Sequence, residues 1–297
     1  MGGRLTDELR FTKYQGTGND FVMLVDLDDA RPLDAGTAAA LCHRRTGVGA
    51  DGVIRLVRAE GPDASFVMDY RNADGSPAEM CGNGARCVGT LVHDLALSDE
   101  LEFGIQTGAG VRRLLLHEDG GQVRRVTVEM GIPVFTKASI PMRGPAWETF
   151  LGEPFDVGGG STFTASAVSM GNPHLVLFVQ DDPDLFHVGH IGPALERHEV
   201  FPQGTNVEFA QVLGDGIKAR VWERGSGETM ACGSGACAVA VAANEAGLVP
   251  DRTVVRFPGG SLEVERLEGG EVLLTGEAER VFEGLVDLDR LVGRVRA

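Results

Sequence analysis

The sequence predicts an α/β (α+β) protein of two pseudo-twofold-related halves, each a β-rich shell around one central helix. Three observations predict it. A nonapeptide occurs twice, as MCGNGARCV at 80–88 and ACGSGACAV at 231–239. The surrounding pattern restarts as well: GNDFVML (18–24) matches GNPHLVLF (171–178), so that Asn19 and Asn172 stand 153 residues apart while Cys81 and Cys232 stand 151 apart. A near-constant spacing of this kind marks an internal duplication. Finally, GACAVAVAANEAG (235–247) is small and apolar on nearly every face, and a helix with no polar side is buried all round.

Residues 1–10 read as a polar lead, with strand character beginning at Phe11. GTGNDFVMLVD (16–26) reads as a glycine turn into a buried strand. Residues 34–45 predict a helix that stops at Gly47. GVGADG (47–52) satisfies G-x-G-x-x-G, but it follows a helix and opens onto the strand-like VIRLV. A dinucleotide site needs the opposite order, which excludes that reading. SFVMDY (65–70) predicts a strand that delivers RNADGSPAEM and the first cysteine turn. Val88, Leu91, Val92 and Leu95 then fall at helical spacing, and two strands joined at Asp119-Gly120-Gly121 follow. Residues 136–160, rich in Pro and Gly, predict a connection between the halves. In the second half Val239, Ala242, Ala243 and Ala246 repeat the helical spacing, and SLEVERLEGGEVLLTG (261–276) repeats the strand-turn-strand. The domains expected are 1–131, carrying Cys81, and 132–297, carrying Cys232.

At 297 residues the chain can hold two domains with their own cores. A hydrophobic content of 43% with 24% charged residues is that of a soluble globular protein. The net charge of −16 argues against a nucleic-acid or anionic-membrane surface. No apolar run approaches the roughly 18 residues of a membrane helix, and MGGRLTDELR lacks the apolar core of a signal peptide. A cytoplasmic location is therefore expected. Five cysteines are too few, and odd in number, for a secreted disulfide framework. The spacings C-x5-C and C-x4-C, without nearby Cys or His partners, also argue against zinc, so no metal is expected.

Cys81 and Cys232 each precede Gly-x-Gly at the start of a helical pattern. Free N–H groups and the positive dipole end favour a thiolate there and can hold an anion. Such surroundings can bring a thiol from roughly 8.5 down to between about 3.5 and 7.5. Pseudo-symmetric halves would bring both thiols to a shared cleft, where small-molecule sites commonly lie. Two facing thiols can move a proton from one face of a carbon to the other, one acting as thiolate base and the other as thiol acid. Like-charge repulsion disfavours ionising both. The α-proton of an amino acid is weakly acidic, and two helix N-termini aimed at the carboxylate would stabilise the carbanionic charge. No lysine stands in a pyridoxal-phosphate context, so a cofactor-free route is expected.

The motifs GTGNDF (16–21), NADGSPAEMCGNGARC (72–87), MGNPH (170–174), TNVEF (205–209) and ERGSGETMACGSGAC (223–237) carry a specific resemblance. From Phe11 to about Gly284 the chain resembles the diaminopimelate epimerase family. The resemblance implies that family's fold, with the last ~15–20 residues returning to the first half, and a homodimer. It implies Cys81 and Cys232 as the acid/base pair, suggesting Cys81 as donor and Cys232 as acceptor for the LL substrate. The N–H groups of Gly82–Asn83 and Gly233–Ser234 would bind the reacting carboxylate. Asn19, Asn72, Asn172 and Asn206 would hold the substrate, with Glu223 and Arg224 beside them. His174 and Glu223 would support the reacting centre, and the Arg224 fork matches a distal carboxylate. The implied reaction is the interconversion of LL- and meso-diaminopimelate, a step toward lysine and peptidoglycan precursors. Two departures stand out: Gln15 replaces a histidine frequent in the family, and Gly52 replaces a common glutamine.

Other readings remain open at this level. Another two-cysteine racemase, for proline, hydroxyproline or histidine, would share the architecture. A non-catalytic redox or metabolite-binding protein could use the thiols as a reversible disulfide switch. Glu223, Arg224 and the asparagines favour a substrate with a second charged amino-acid end. Asparagines in loops also serve turns, His174 alone reads as a structural histidine, and Cys42, Cys87 and Cys237 read as small core hydrophobes.

Overall fold

The computed structural model describes residues 8–158 and 160–295, and the chain divides into two units, residues 1–127 with 277–297 and residues 128–276. The helices among the described residues are α1 (Ala35–Cys42), α2 (Gly82–Asp94), α3 (Val188–Glu196), α4 (Gly233–Glu245) and α5 (Leu288–Val295). Strands dominate the remainder, giving a mixed α/β (α+β) protein.

In the first unit, Glu8–Gly16 and Asn19–Val25 form an antiparallel hairpin. Its two turn residues, Thr17 and Gly18, both have positive φ, of 53° and 81°. A two-residue hairpin turn that matches strand twist needs that geometry. It is uncomfortable for β-branched Thr17, whose Oγ1 accepts from Arg86 Nη2 at 2.8 Å. Asn19–Val25 runs parallel to Gly52–Arg58, a pairing that needs a crossover, and α1 lies in it. Asp34 caps α1 by accepting from the Thr37 N–H at 2.9 Å. Gly52–Arg58 pairs antiparallel with Phe66–Asn72, which runs parallel to Glu102–Thr107 across α2. A hairpin to Gly110–Asp119 follows. Residues 82–92 of α2 are all buried.

The second unit repeats this order. Ser161–Ser169 pairs antiparallel with Pro173–Phe178, which runs parallel to Asn206–Leu213 across α3. Gly216–Glu223 is antiparallel to Asn206–Leu213 and parallel to Arg252–Phe257 across α4, and the hairpin to Gly260–Arg266 follows. Leu175, Leu177, Val207 and Phe209 pack with Phe150, Phe155 and Phe201 in its core. The parallel registers align the two units residue by residue. Phe21 lies opposite Gly52, and His174 opposite Asn206. Gly52 therefore corresponds to Asn206, and Ile54 to Glu208.

Several segments differ from expectation. Of the predicted polar lead, residues 1–7 lie outside the described residues, whereas Glu8–Arg10 are strand, opposite Asp287, Val286 and Leu285. Their partner, Glu279–Asp287, comes from the far end of the chain, where no local pattern reveals it. α5 follows, and its Leu291 enters a core with Leu33 and Leu41. The predicted helix 34–45 ends at Cys42 because Leu41 O accepts from Val48 and Gly49 N–H groups. A Cβ on Gly47 would lie 2.0 Å from Ala40 O, so only glycine permits that turn. The stretch 136–160 belongs to the second unit: Glu153–Gly158 is a strand paired with Ser161–Ser169, and Ile140, Met142 and Phe150 are core residues.

Candidate functional site

Each duplicated cysteine is the N-cap residue of its helix. Cys81, half-buried, has extended backbone (φ −143°), and its Sγ accepts from the Gly84 N–H at 3.4 Å at the start of α2. Cys232, buried, has φ −125°, and its Sγ accepts from the Gly235 N–H at 3.3 Å at the start of α4. A sulfur in the place of the usual Ser or Asp oxygen lies in the field of the helix's unsatisfied N–H groups. Both turns are closely packed over their glycines. A Cβ on Gly84 would meet Ile54 Cδ1 at 2.7 Å, and one on Gly235 would meet Glu208 Oε1 at 2.9 Å.

In the first unit, Asn19 stands beside the cap. Its Oδ1 accepts from Cys81 Sγ at 3.7 Å and from Asn83 Nδ2 at 3.4 Å, while its Nδ2 donates to Asp51 Oδ2 at 2.8 Å. Gly82 and Asn83 are buried in the first turn. Asn72 ends its strand and closes a loop, donating from Nδ2 to Ser76 Oγ at 3.1 Å and from its N–H to Ser76 O at 2.9 Å. Gln15 Oε1 accepts from the Gly18 N–H at 2.9 Å, so it ties down the hairpin turn. Gly52 abuts Tyr70: a Cβ there would lie 2.5 Å from the ring and 2.7 Å from Arg71 O. The volume of a longer side chain is thus taken by Tyr70.

The second unit holds a denser polar set. Asn172 Nδ2 donates to Ser234 Oγ at 3.3 Å, and Ser234 Oγ lies 3.4 Å from Cys232 Sγ. His174 lies 3.0 Å from Asn172 Oδ1 through Nε2 and 2.6 Å from Glu208 Oε1 through Nδ1. His174 and Glu208 are both 0% exposed. Asn206, also buried, donates to Pro173 O at 2.8 Å and accepts from the Arg224 N–H at 2.9 Å, holding the Glu223-Arg224 segment against the strand of His174. Glu223 Oε1 accepts from Thr229 Oγ1. Arg224 is exposed, and its Nη1 donates to Gln203 O at 3.2 Å. Gly233 is buried in the first turn of α4.

Electrostatics here depart from the simple helix-end expectation. Burial pushes the Cys232 thiol well above its ordinary value, reinforced by Glu223 and Glu208 and opposed by Ser234 and the Gly235 N–H. Burial also raises the carboxyls of Glu223, against bonds from Thr229 and Cys232, and of Glu208, against His174. Cys42 is pushed up to about 12 by burial, and Cys87 higher by the same cause, so both are inert thiols in the core.

The sequence reading missed Glu208 and Arg86. Glu208 carried a signal, being a lone carboxylate inside the apolar strand NVEFA. Arg86 is wholly buried within α2, donating to Thr17 Oγ1 and, at 3.3 Å, to Glu277 O.

The family model described as diaminopimelate epimerase matches residues 11–136 and 166–281. The diaminopimelate epimerase of Pelotomaculum thermopropionicum is 46% identical over 280 residues, covering 93% of this chain and 98% of that protein. Among solved structures, a probable proline racemase from Agrobacterium radiobacter superposes with a TM-score of 0.70 at 15% identity, covering 95% of this chain and 93% of that one. A hydroxyproline epimerase from Agrobacterium vitis does so with a TM-score of 0.67 at 16% identity, covering 96% and 94%. At such identities the structural matches establish a shared fold.

Proposed function

The chain belongs to the diaminopimelate epimerase family, and from that membership we propose that it interconverts LL- and meso-2,6-diaminopimelate without a cofactor, as a step toward lysine and peptidoglycan precursors. The observation that carries the reading is the pair of cysteine-capped helices, Cys81 on α2 and Cys232 on α4, each sulfur placed against a helix N–H. In the proposed reaction both thiols act on one α-carbon. A thiolate takes the α-proton, the C–H bond breaks, and its electron pair spreads onto the substrate carboxylate. The other thiol gives its proton to the opposite face, its S–H bond breaking as the new C–H bond forms. The pair ends with thiol and thiolate exchanged, ready for the reverse direction.

The N–H groups of Gly82–Asn83 and Gly233–Ser234 suit the reacting carboxylate, since helix N-termini stabilise negative charge as it develops. Asn19 and Asn172, beside the two caps, would orient it. Arg224, exposed with a planar fork, would take the distal carboxylate, with Asn72, Asn206 and Glu223 completing the substrate contacts, Glu223 supporting the amino group and His174 supporting the reacting centre through Asn172. No helix among the described residues is long and apolar enough to cross a membrane. A cytoplasmic homodimer without nucleic-acid partners is the assembly we propose.

The test is proton NMR of LL-diaminopimelate with reduced protein in D2O and no added cofactor. Loss of the α-proton signal with appearance of meso product, abolished by Cys81→Ala, is expected. Absence of exchange with reduced wild-type protein refutes the assignment.

A further inference from the structure

We propose that Glu208 is a positioning residue whose protonated carboxyl starts a one-way chain of hydrogen bonds, through His174, Asn172 and Ser234, that ends at the Cys232 sulfur and favours its thiolate against the burial that opposes it. The inference rests on the reading of Cys232 as an acid/base thiol.

The direction of each bond follows from which atoms can donate. Asn172 Nδ2 donates to Ser234 Oγ, so its Oδ1 faces His174 and can only accept. His174 Nε2 must therefore carry a hydrogen. Nδ1 then meets Glu208 Oε1 at 2.6 Å, a distance that requires one proton between them. Glu208 is fully buried, and its Oε2 has no hydrogen-bond partner. A bare, buried carboxylate oxygen is costly, whereas the carbonyl oxygen of a neutral acid is much less so. The proton thus belongs on Glu208, which donates to Nδ1 and fixes the Nε2–H tautomer. Ser234 Oγ, accepting from Asn172, has its own hydrogen to offer to Cys232 Sγ at 3.4 Å. A hydrogen bond donated to sulfur favours the thiolate.

The other unit runs the opposite way. Asn19 Nδ2 is held by Asp51, so its Oδ1 accepts from Cys81, a bond that only the protonated sulfur can donate. The positions matching His174 and Glu208 are Phe21 and Ile54, both apolar and buried. The polar chain is therefore present beneath one cysteine and absent beneath the other, and it breaks the symmetry of the duplicated turn. The ionisable groups acting on Cys232 are Glu223 and Glu208, from the strands Gly216–Glu223 and Asn206–Leu213, with His174 on the strand Pro173–Phe178 acting on both carboxyls. Burial favours the neutral form of both carboxyls, and a neutral Glu208 no longer opposes a thiolate beside it.

Alkylation of Cys232 by iodoacetamide, followed against pH by peptide mass spectrometry without substrate, tests this. In Glu208→Ile the alkylation midpoint moves up by about one pH unit, a roughly tenfold lower thiolate fraction at a given pH below it. Glu208→Gln keeps the wild-type midpoint, because its amide N–H donates to Nδ1 in place of the carboxyl. If Glu208→Ile does not fold, the double variant His174→Phe with Glu208→Ile, which copies the first unit, gives the same upward shift. Nitrogen-15 NMR of labelled histidine in the wild type shows an unprotonated Nδ1 and a protonated Nε2 at the signal lost in His174→Phe. An unchanged midpoint in the variant that folds, or a protonated Nδ1, overturns the proposal. Because no substrate is present, these outcomes stand apart from the exchange assay, whose failure would instead remove the diaminopimelate reading.

Discussion

Replacing Gly235 by alanine puts a methyl group between the Cys232 cap and the buried carboxyl beneath it. The new Cβ would lie 2.9 Å from Glu208 Oε1, 3.1 Å from Cys232 Cβ and 3.4 Å from its sulfur. Non-bonded carbon contacts settle at about 3.5–4.0 Å, so something must yield by roughly half an ångström. Glu208 cannot give readily, because His174 holds it at 2.6 Å in a fully buried site. The displacement therefore falls on the Cys232 turn. The matching change, Gly84→Ala, meets Ile54 Cδ1 at 2.7 Å and Met68 Cε at 2.9 Å, both ends of rotatable side chains. There the side chains move and the cap stays. Overpacking costs about 1–3 kcal/mol, offset in part by the ~1 kcal/mol that alanine gains over glycine in a helix, so both variants should melt no more than a few degrees below wild type. Turnover should separate them. A misplacement approaching 1 Å costs about 100-fold, so kcat of Gly235→Ala should fall roughly 10- to 100-fold in both directions, with Gly84→Ala affected several-fold less. The assay is epimerisation in each direction beside a thermal melt. Wild-type turnover in Gly235→Ala, or an equal loss in Gly84→Ala, would refute the reasoning.

Two further outcomes concern the first unit. Arg86→Leu strips Thr17 Oγ1 and Glu277 O of a buried donor, and unfolding in urea should show a loss of about 2–4 kcal/mol; a loss below about 0.5 kcal/mol would mean the guanidinium does not hold the turn. Burial alone would raise the Asp20 carboxyl, but Arg44 and Lys13 together hold it at about 2. The folded value lies below the unfolded one, so the contribution is fully present above the ordinary aspartate range near about 3.9 and is lost as pH falls through about 2. Screening of a partly exposed group reduces it to about 1 kcal/mol, and Asp20→Asn should flatten acid unfolding over that window.

Much of the candidate site was legible because the duplicated turn is a local object. Cys-Gly-x-Gly before an apolar helical run specifies a cap, a tight turn and a buried helix within a dozen residues, and α2 and α4 start where that pattern places them. Elements whose stability comes from distant partners were not legible. Glu8–Arg10 look polar and solvated, yet they are strand because Glu279–Asp287 pairs with them. α3 contains Pro193 and two glycines, poor helix formers; it packs close enough that a Cβ on Gly192 would lie 2.5 Å from Trp222, while Trp222 Nε1 donates to Glu196 at 2.7 Å. Local preference argues against that helix, and packing overrides it.

The amino-acid sequence by itself determined the duplication, the placement of Cys81 and Cys232 at helix starts, and the apolar interior around α4, since each depends on residues within a few turns of one another. Only the tertiary structure decided the chemistry beneath those caps. The parallel register that sets His174 opposite Asn206 also brings Glu208 within 2.6 Å of the imidazole across 34 residues of chain. In the first unit the equivalent register sets Phe21 opposite Gly52 and brings no polar pair. Two nearly identical turns thus differ through what lies under them, because hydrogen-bond direction and burial are properties of neighbours in space.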